Sequence, residues 1–297
     1  MNSDRSETQP VLRFAPSPNG PLHLGHAYSA LLAFDTARRL GGRFLLRIED
    51  IDPGRSREEF VEGIYDDLRW LGLEWEMPVL RQSRHVEDYV AAAMRLEAMG
   101  VLYRCFATRA EIAAAQAACP RPLDPEGAPV YPGLHKTLSA GDAERRIGAG
   151  EPFAMRIDVE KAVALAQAKL GGAPLEFVEW DAHLQPHRVA ADPQRWGDVV
   201  IQRKDVPTSY HLSVVVDDSR QGITHVVRGQ DLYAATDIHR LLQVLLDLPE
   251  PVYRHHRLIA DASGQKLAKS AGAPGLKDLR AQGLSVEDIR RLVGMDR

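Results

Sequence analysis

Two histidines, His23 and His26, flank a glycine in the tetrapeptide 23–26 (HLGH). The tetrapeptide follows a short apolar run and a proline-rich turn, and apolar residues at helical spacing come after it. The amino end of a helix that follows a strand binds phosphate well, because its free amides and its dipole favour anions. The imidazoles could donate to phosphate oxygens, and Gly25 would let a nucleotide approach the backbone. In isolation such a pair is more often structural or metal-binding, so its place after a strand is what favours phosphate.

Two lysines, Lys266 and Lys269, lie close together in the segment 266–270 (KLAKS), which follows a stretch with Ser and Gly at 261–264. A mobile ammonium group can move onto a triphosphate and stabilise the charge that develops in phosphoryl or nucleotidyl transfer. An exposed basic loop is the alternative for this segment taken alone. The two motifs together indicate a nucleotide-dependent reaction more strongly than either does separately.

The elements around the first motif predict a parallel sheet. Residues 11–15 form an apolar run that a proline-rich stretch ends, which indicates a strand and a rigid loop. From Gly25 apolar residues recur at helical spacing as far as residue 40, where a Gly-Gly pair stops the helix. A second strand is predicted at 43–49. A strand, a helix and a strand within about 40 residues are typical of a βαβ unit.

The remaining pattern predicts an α/β domain that is split by an insertion. We predict further helices at 57–71, 84–99 and about 232–246, and further strands at 198–203, 210–218, 222–229 and 257–261. The stretch between lacks alternation of strands and helices and reads as a separate α-rich lobe. The predicted units are the first half of the catalytic domain at 1–100, the inserted lobe at 101–195, the second half at 196–260, and the KLAKS loop with a short helical end at 261–297.

Composition limits the class of protein more than it identifies it. The chain has 297 residues with 37 Lys+Arg against 41 Asp+Glu, a formal charge of -4, which neither predicts nor excludes a nucleic-acid partner. Two cysteines cannot form a disulfide scaffold, and residues 1–10 are polar without an apolar signal core. No window approaches the ~18 to 20 apolar residues of a membrane span. We expect a soluble cytoplasmic enzyme with no membrane partner, and we expect a monomer.

Five ordered motifs carry a resemblance to a known family. They are RFAPSPNGPLHLGH at 13–26, RFLLRIEDIDPGRS at 43–56, VVVDD at 214–218, VVRGQDL at 226–232 and KLAKS at 266–270. Over about residues 11–270 the chain resembles the catalytic core of class I aminoacyl-tRNA synthetases, in the glutamyl branch. The resemblance implies a Rossmann-type parallel sheet, with activation of L-glutamate to glutamyl-adenylate by ATP and Mg²⁺, and transfer of the glutamyl group to RNA. His23, Gly25, His26 and Lys269 would bind ATP, and His23, His26, Lys266 and Lys269 would be catalytic.

The residues also agree with a glutamate substrate. An acidic amino acid needs a guanidinium for its carboxylate and an acceptor for its ammonium group. Arg13 and Glu49 end the first two predicted strands, where such sites form, and would supply these two groups. An ordinary structural ion pair is the alternative for both. The resemblance adds four positions that line the glutamate pocket: Ala15, Ser17, Tyr210 and Arg228.

The short stretch after the last motif bears on the RNA partner. Only 27 residues follow Ser270, so we expect no anticodon-binding region. The resemblance is then to the short members of the branch, and it implies transfer of glutamate to the queuosine base in the anticodon of tRNA(Asp), after activation that needs no RNA. Three alternatives stay open: a shortened synthetase that charges tRNA(Glu), a small-molecule nucleotidyltransferase, and an inactive RNA-binding relative.

The inserted lobe carries an altered zinc pattern. The family often has Cys-x-Cys followed by Tyr-x3-Cys, whereas this chain has Cys105 with an alanine two residues later, and Tyr131 with His135 four residues later. Cys105, Tyr131 and His135 could still bind zinc with Cys119 as the fourth ligand, because Cys and His are ordinary zinc ligands. We favour remnants of a site in a lobe held by packing, and we predict no bound metal there.

Overall fold

The computed structural model describes residues 9–259 and 274–295. The first part of the chain forms β1 (Val11–Phe14), α1 (Leu24–Arg39), β2 (Arg43–Ile48), α2 (Glu58–Trp70), β3 (Glu76–Arg81) and α3 (Val86–Ala98). The middle forms β4 (Leu102–Cys105), α4 (Arg109–Ala118), α5 (Ala140–Gly148), β5 (Ala154–Ile157), α6 (Val159–Lys169), β6 (Glu176–Trp180) and β7 (Pro186–Ala190). The last part forms β8 (Val200–Gln202), α7 (Tyr210–Arg220), β9 (His225–Gly229), α8 (Thr236–Leu246), β10 (Val252–His256), α9 (Leu276–Ala281) and α10 (Val286–Leu292).

A seven-stranded sheet in the order β3-β2-β1-β9-β10-β6-β7 forms the centre of the molecule. All its strand pairs are parallel except β6 with β7. The sheet confirms the predicted α/β class. Because β1 lies between β2 and β9, the carboxyl ends of these three strands meet at one edge, and the loops that follow them open onto a common space.

Apolar side chains cover both faces of this sheet. Leu12 and Leu46 pack with the apolar side of α1 and α2, whereas Val11 and Leu45 point to the opposite face and pack with Tyr253 of β10. This alternation follows from the period of two along a strand. A further cluster joins α3, α6, α7 and α8. The two-sided cover explains why the inner strands read as nearly continuous apolar runs.

A second sheet of three antiparallel strands, β4-β5-β8, lies in the middle of the chain. The sequence predicts an α-rich insertion at 101–195, whereas the structure has four strands in that range, β4 to β7. β6 and β7 fall within 101–195 yet join the large sheet, and β8 falls after it yet pairs with β5. Short strands among Ala-rich helices gave too weak a periodic signal to be recognised. The division into units remains a prediction.

Two predicted strands are wrong. The segment 210–218 lies in the helix α7, and 257–259 has no strand, because the last strand of the large sheet, β10, comes earlier in the chain. Three consecutive valines in α7 suggested a strand because β-branched residues favour strands. The helix packs against both α3 and α8 and buries residues on several sides, so it shows no simple amphipathic period.

Candidate active site

Nine predicted site residues line one cavity of about 840 Å³ at the carboxyl edge of the large sheet: Arg13, Ala15, Ser17, His23, Gly25, His26, Glu49, Tyr210 and Arg228. Lys266 and Lys269 lie outside the described residues. The residues on either side of that segment reach the same region: Ile259 lines the cavity, and Gly275 forms a β-bridge with His23. The sequence motifs before position 260 therefore meet in space.

His23 and His26 are oriented by the first turn of α1. The Nδ1 atom of His23 accepts from the backbone N–H of Gly25 at 3.1 Å, and the Nδ1 atom of His26 accepts from the backbone N–H of His23 at 3.2 Å. Because Nδ1 of each neutral ring is an acceptor, its proton resides on Nε2, which is then a donor. The two rings lie 3.9 Å apart between centroids. Paired donors at a helix amino end suit an anion.

A side chain at position 25 would crowd the His23 ring. A Cβ at this position would lie 3.0 Å from Cε1 and 3.2 Å from Nδ1 of His23. Such a contact is too close to leave the ring in place. The glycine thus preserves the hydrogen bond that sets the orientation of His23.

Arg13 and Glu49 each form a buried ion pair, Arg13 with Asp218 and Glu49 with Arg47, which is the structural alternative stated for both residues. Arg13 donates to Asp218 through Nε at 3.0 Å and through Nη2 at 3.4 Å. Glu49 accepts from Nη2 of Arg47 at 3.2 Å. Arg47 also donates to Asp218 at 2.7 Å, so Asp218 connects the two arginines.

Arg47 and Asp217 were missed by sequence reasoning. Arg47 is 0% exposed, and Asp217 is fully buried beside it, accepting from Tyr89 at 2.9 Å and from Gln82 at 2.7 Å. An arginine in the middle of an otherwise apolar strand was the available signal, since a buried charge requires a partner. The partner could not be inferred because α7 was interpreted as a strand.

The buried cluster is richer in carboxylates than in guanidinium groups. It holds two arginines and three acidic residues: Arg13, Arg47, Glu49, Asp217 and Asp218. Burial raises the pKa of Glu49 and of Asp217 above their usual values, in spite of Arg47. Burial alone would also raise the pKa of Asp218, but Arg13 and Arg47 lower it below its usual value. A cation bound at the Glu49 end of the cavity would therefore stabilise the ionised carboxylates there.

Arg228 is the opposite case, a buried cation that pairs with no carboxylate among the described residues. Its side chain donates to Tyr210 Oη at 3.4 Å and to Thr236 Oγ1 at 2.8 Å, and its other partners are the rings of His239 and His255. Within 9–259 and 274–295, no acidic residue forms an ion pair with it. Since Arg228 is only 4% exposed, solvent does little to compensate the charge.

Further polar lining residues of the cavity include Arg55 and Asp231, which were not singled out from the sequence, and His256, which belongs to a basic cluster at 254–257 in the sequence. Arg55 belongs to the motif at 43–56 and Asp231 to that at 226–232, so their motifs were the signal. In the stretch 254–257, the His255 side chain is buried and burial lowers its pKa to about 4. Arg257 is exposed and donates to the carbonyl of Val293 at 2.7 Å.

The residues of the altered zinc pattern do not converge on one point. The sulfur of Cys105 lies 3.0 Å from Tyr131 Oη, and Cys119 is exposed at the end of α4. The guanidinium of Arg146 lies 3.0 Å from Nε2 of His135 and stacks 4.5 Å from the Phe106 ring. A cation at that nitrogen opposes a metal ion there. Among the described residues no three His, Cys, Asp or Glu side chains are grouped to hold a metal, and zinc does not fit this arrangement.

Comparison with known proteins agrees with this geometry. The sequence model of the class I tRNA synthetases (E and Q), catalytic domain, matches residues 10–284. A protein of Rhodobacter capsulatus named glutamyl-Q tRNA(Asp) synthetase is 48% identical over 292 residues, which cover 96% of this chain and 100% of that protein. The chain belongs to the glutamyl-Q tRNA(Asp) synthetase family of class I synthetases. A second protein of that name, from Nocardia farcinica, is 40% identical over 95% of this chain and 82% of its own length.

The glutamyl-Q tRNA(Asp) synthetase family shares its fold with a longer solved enzyme. The crystal structure of a glutamate-tRNA synthetase from Elizabethkingia anophelis matches with a TM-score of 0.71 and 25% identity. The match covers 89% of this chain and 53% of that one, so this chain spans about half the length of the solved synthetase. None of the described helices has the length and apolar content to cross a membrane.

Proposed function

We propose that this chain activates L-glutamate with ATP to give glutamyl-adenylate, without RNA, and then transfers the glutamyl group to the queuosine base in the anticodon of tRNA(Asp). The proposal depends on Arg228, whose charge has no acidic partner within 9–259 and 274–295, in the cavity that also contains Glu49 and the His23–His26 helix start. One cavity thus offers a cationic point, an anionic cluster and an anion-binding helix end.

Arg228 supports an acidic side chain in the substrate. A buried guanidinium whose partners are all neutral gains most from a carboxylate, because the ion pair then forms where water screens it little. A neutral amide in the same place would gain far less. Tyr210, whose hydroxyl lies 3.4 Å from Arg228, adds a group that can donate to the same carboxylate.

The Glu49 cluster supports an amino group in the substrate. Its three carboxylates exceed its two guanidinium groups, and the raised pKa of Glu49 reflects burial that the nearby arginines do not fully offset. An ammonium ion bound there would restore the balance and favour the ionised carboxylate. Together with Arg228 this gives the cavity the charge pattern of glutamate.

The helix end supports the ATP phosphates. The α-carboxylate oxygen of glutamate would attack the α-phosphorus in line, the bond from that phosphorus to the bridging oxygen would break, and pyrophosphate would leave. His23 and His26 would hold phosphate oxygens through Nε2. Mg²⁺ bound with ATP supplies charge neutralisation on the phosphates. The resemblance of their motif assigns to Lys266 and Lys269 the stabilisation of charge in the transition state.

The RNA step is supported by the family. A hydroxyl of the queuosine base would attack the carbonyl carbon of the adenylate and lose its proton, the bond between that carbon and the phosphate oxygen would break, and AMP would leave. The base must leave its stack to reach the cavity, as bases commonly do when proteins bind single-stranded loops. The relatives from Rhodobacter capsulatus and Nocardia farcinica are named for glutamyl-Q tRNA(Asp) synthesis, and the first matches over its whole length.

Exchange of radioactive pyrophosphate into ATP tests the activation step. We expect exchange that depends on glutamate and needs no RNA, at least tenfold weaker with glutamine or aspartate, and strongly reduced by Lys269→Ala. No exchange in the unaltered protein, or unchanged exchange in Lys269→Ala, would remove this mechanism.

Acylation assays test the RNA partner. Radioactive glutamate should be attached to tRNA(Asp) that carries queuosine and not to tRNA(Asp) that lacks the modified base. Attachment to tRNA(Glu) alone would instead identify a short enzyme that charges tRNA(Glu). Exchange with no attachment to either RNA would point to a small-molecule acceptor.

A further inference from the structure

The surroundings of Arg228 differ from those of the other two buried arginines in the cavity region. Arg13 and Arg47 each pair with carboxylates, whereas Arg228 is surrounded by imidazole, phenol and hydroxyl groups. A buried charge without an opposite charge lowers the free energy of unfolding, so other groups must hold the guanidinium in place. The imidazoles beside it show how it is held.

His255 contacts Arg228 on one side and a carboxylate on the other. Its Nε2 accepts from Nε of Arg228 at 3.0 Å, and its Nδ1 lies 2.9 Å from Oε2 of Glu179. Because Glu179 accepts the proton of Nδ1, the neutral ring has its lone pair on Nε2, facing Arg228. Glu179 also accepts from the backbone N–H of His255 at 2.8 Å, which holds the carboxylate one ring away from Arg228.

His239 repeats the arrangement from the helix α8. Its Nδ1 lies 3.0 Å from Nη1 of Arg228, and its Nε2 lies 3.3 Å from Nδ1 of His211. For Nδ1 to accept from the guanidinium, the proton must be on Nε2, where His211 accepts it. Thr236 fixes the third nitrogen, Nη2, at 2.8 Å. Every nitrogen of the guanidinium thus has a fixed neutral partner.

The rings remain neutral because they are buried. Burial lowers the pKa of His255 to about 4, in spite of Glu179, and burial followed by Arg228 lowers the pKa of His239 well below its usual value. A protonated ring would turn an acceptor into a donor and place a second cation against Arg228. At neutral pH both rings therefore act as acceptors that fix the guanidinium without cancelling its charge.

We propose that Glu179, His255 and His239 are positioning residues that orient Arg228 while leaving its charge for the ligand, and that they determine selectivity for a carboxylate over an amide side chain. The inference rests on the proposed function, because it assigns a substrate carboxylate to Arg228. A direct carboxylate partner for Arg228 would remove this preference, since an already paired guanidinium has little charge to offer. Glu179 acts only through His255 and does not touch the ligand.

The test is glutamate-dependent pyrophosphate exchange by the full chain, with KM measured separately for glutamate and for ATP. His255→Leu removes the acceptor and should raise the KM for glutamate roughly tenfold or more, the equivalent of one hydrogen bond to a charged group. The KM for ATP should stay unchanged. His255→Gln should recover most of the loss, because its amide oxygen can accept at the position of Nε2.

A double variant tests the order of action. Glu179→Met should raise the KM for glutamate, because His255 then loses the group that fixes its tautomer. Since Glu179 acts through His255, the double variant Glu179→Met/His255→Leu should be no worse than His255→Leu alone. The control is His225→Leu, which removes a half-buried imidazole of β9 that contacts Trp180 and Thr224 instead of Arg228. It should leave the KM for glutamate unchanged.

The outcomes separate this proposal from the proposed function. Exchange that does not depend on glutamate in the unaltered protein would overturn the function itself. Normal exchange in the unaltered protein, with additive losses in the double variant or equal increases in both KM values, would overturn the positioning role alone. If His255→Leu does not fold, as judged by circular dichroism, the comparison of His239→Leu with His239→Asn makes the same test, because the asparagine oxygen replaces Nδ1.

Discussion

The guanidinium of Arg13 donates to the carboxylate of Asp218 through two nitrogens, at 3.0 and 3.4 Å. The same carboxylate accepts from Arg47 at 2.7 Å, so Asp218 joins the ends of β1 and β2 to the helix α7. Arg13 therefore both lines the cavity and belongs to a buried ion network. Substitutions at Arg13 and Arg47 should separate the two roles.

Arg13→Ala should leave the protein folded. Asp218 keeps its bond to Arg47, so we expect a loss of about 1–3 kcal/mol in the free energy of unfolding, measured by urea denaturation at pH 7. Arg47→Ala should cost more, about 3–5 kcal/mol, because it leaves buried carboxylates without their common partner. In pyrophosphate exchange Arg13→Ala should also raise the KM for glutamate. If Arg13→Ala unfolds, the role of Arg13 is to stabilise the buried ion network and not to bind the ligand.

Gly25→Ala should impair the reaction without impairing the fold. The added Cβ would press on the His23 ring at 3.0 Å and displace the Nε2 donor, so we expect roughly tenfold lower kcat in pyrophosphate exchange. The free energy of unfolding should change little, because alanine favours a helix.

The matched control is Gly63→Ala in α2, where a Cβ would meet nothing within 4 Å. That variant should stabilise the protein by about 0.5–1 kcal/mol and leave kcat unchanged. Equal kcat in the two variants would show that His23 tolerates the added methyl group.

Local signals in the sequence were sufficient to predict the first βαβ unit. The prolines after β1, the helical spacing from residue 25 and the Gly-Gly pair after α1 each act within a few residues, and the structure has β1, α1 and β2 within two residues of the predicted bounds. The strand edge that carries Arg13 and Glu49 followed from these elements. The family resemblance added Tyr210 and Arg228, which no local pattern would have brought to the same cavity.

Contacts between distant residues could not be predicted. Arg47 and Asp218 are separated by 171 positions, and His255 and Glu179 by 76. Each of these side chains looks ordinary in its own segment, and α7 was read as a strand because its valines favour one. The buried ion network and the partners of Arg228 depend on tertiary packing that overrides local preference. The segment 266–270 lies outside the described residues, so its position stays a prediction.

Zinc should be absent from the purified protein. The guanidinium of Arg146 occupies the side of His135 that a metal ion would need, and Cys105 is engaged with Tyr131. We expect well under one zinc per chain, roughly 0.1 or less, by elemental analysis. Treatment with a chelator should leave Tm unchanged. One equivalent of zinc, lost together with several degrees of Tm on chelation, would show that the lobe rearranges to bind metal.

Acid should destabilise the fold through histidines such as His225, whose pKa is lowered by partial burial. Burial lowers the pKa of His225 from 6.5 to about 4. Below about pH 6.5 the unfolded chain therefore binds a proton that the folded chain does not, so the free energy of unfolding falls as the pH drops toward 4. One such histidine contributes a slope of up to about 1.4 kcal/mol per pH unit. His225→Leu should reduce the slope by up to that amount in urea denaturation between pH 4.5 and 6.

Measurements at pH 8, where the imidazole is neutral in both states, give the effect of the substitution on packing alone. An unchanged slope would mean that His225 becomes protonated in the folded protein as readily as in the unfolded chain.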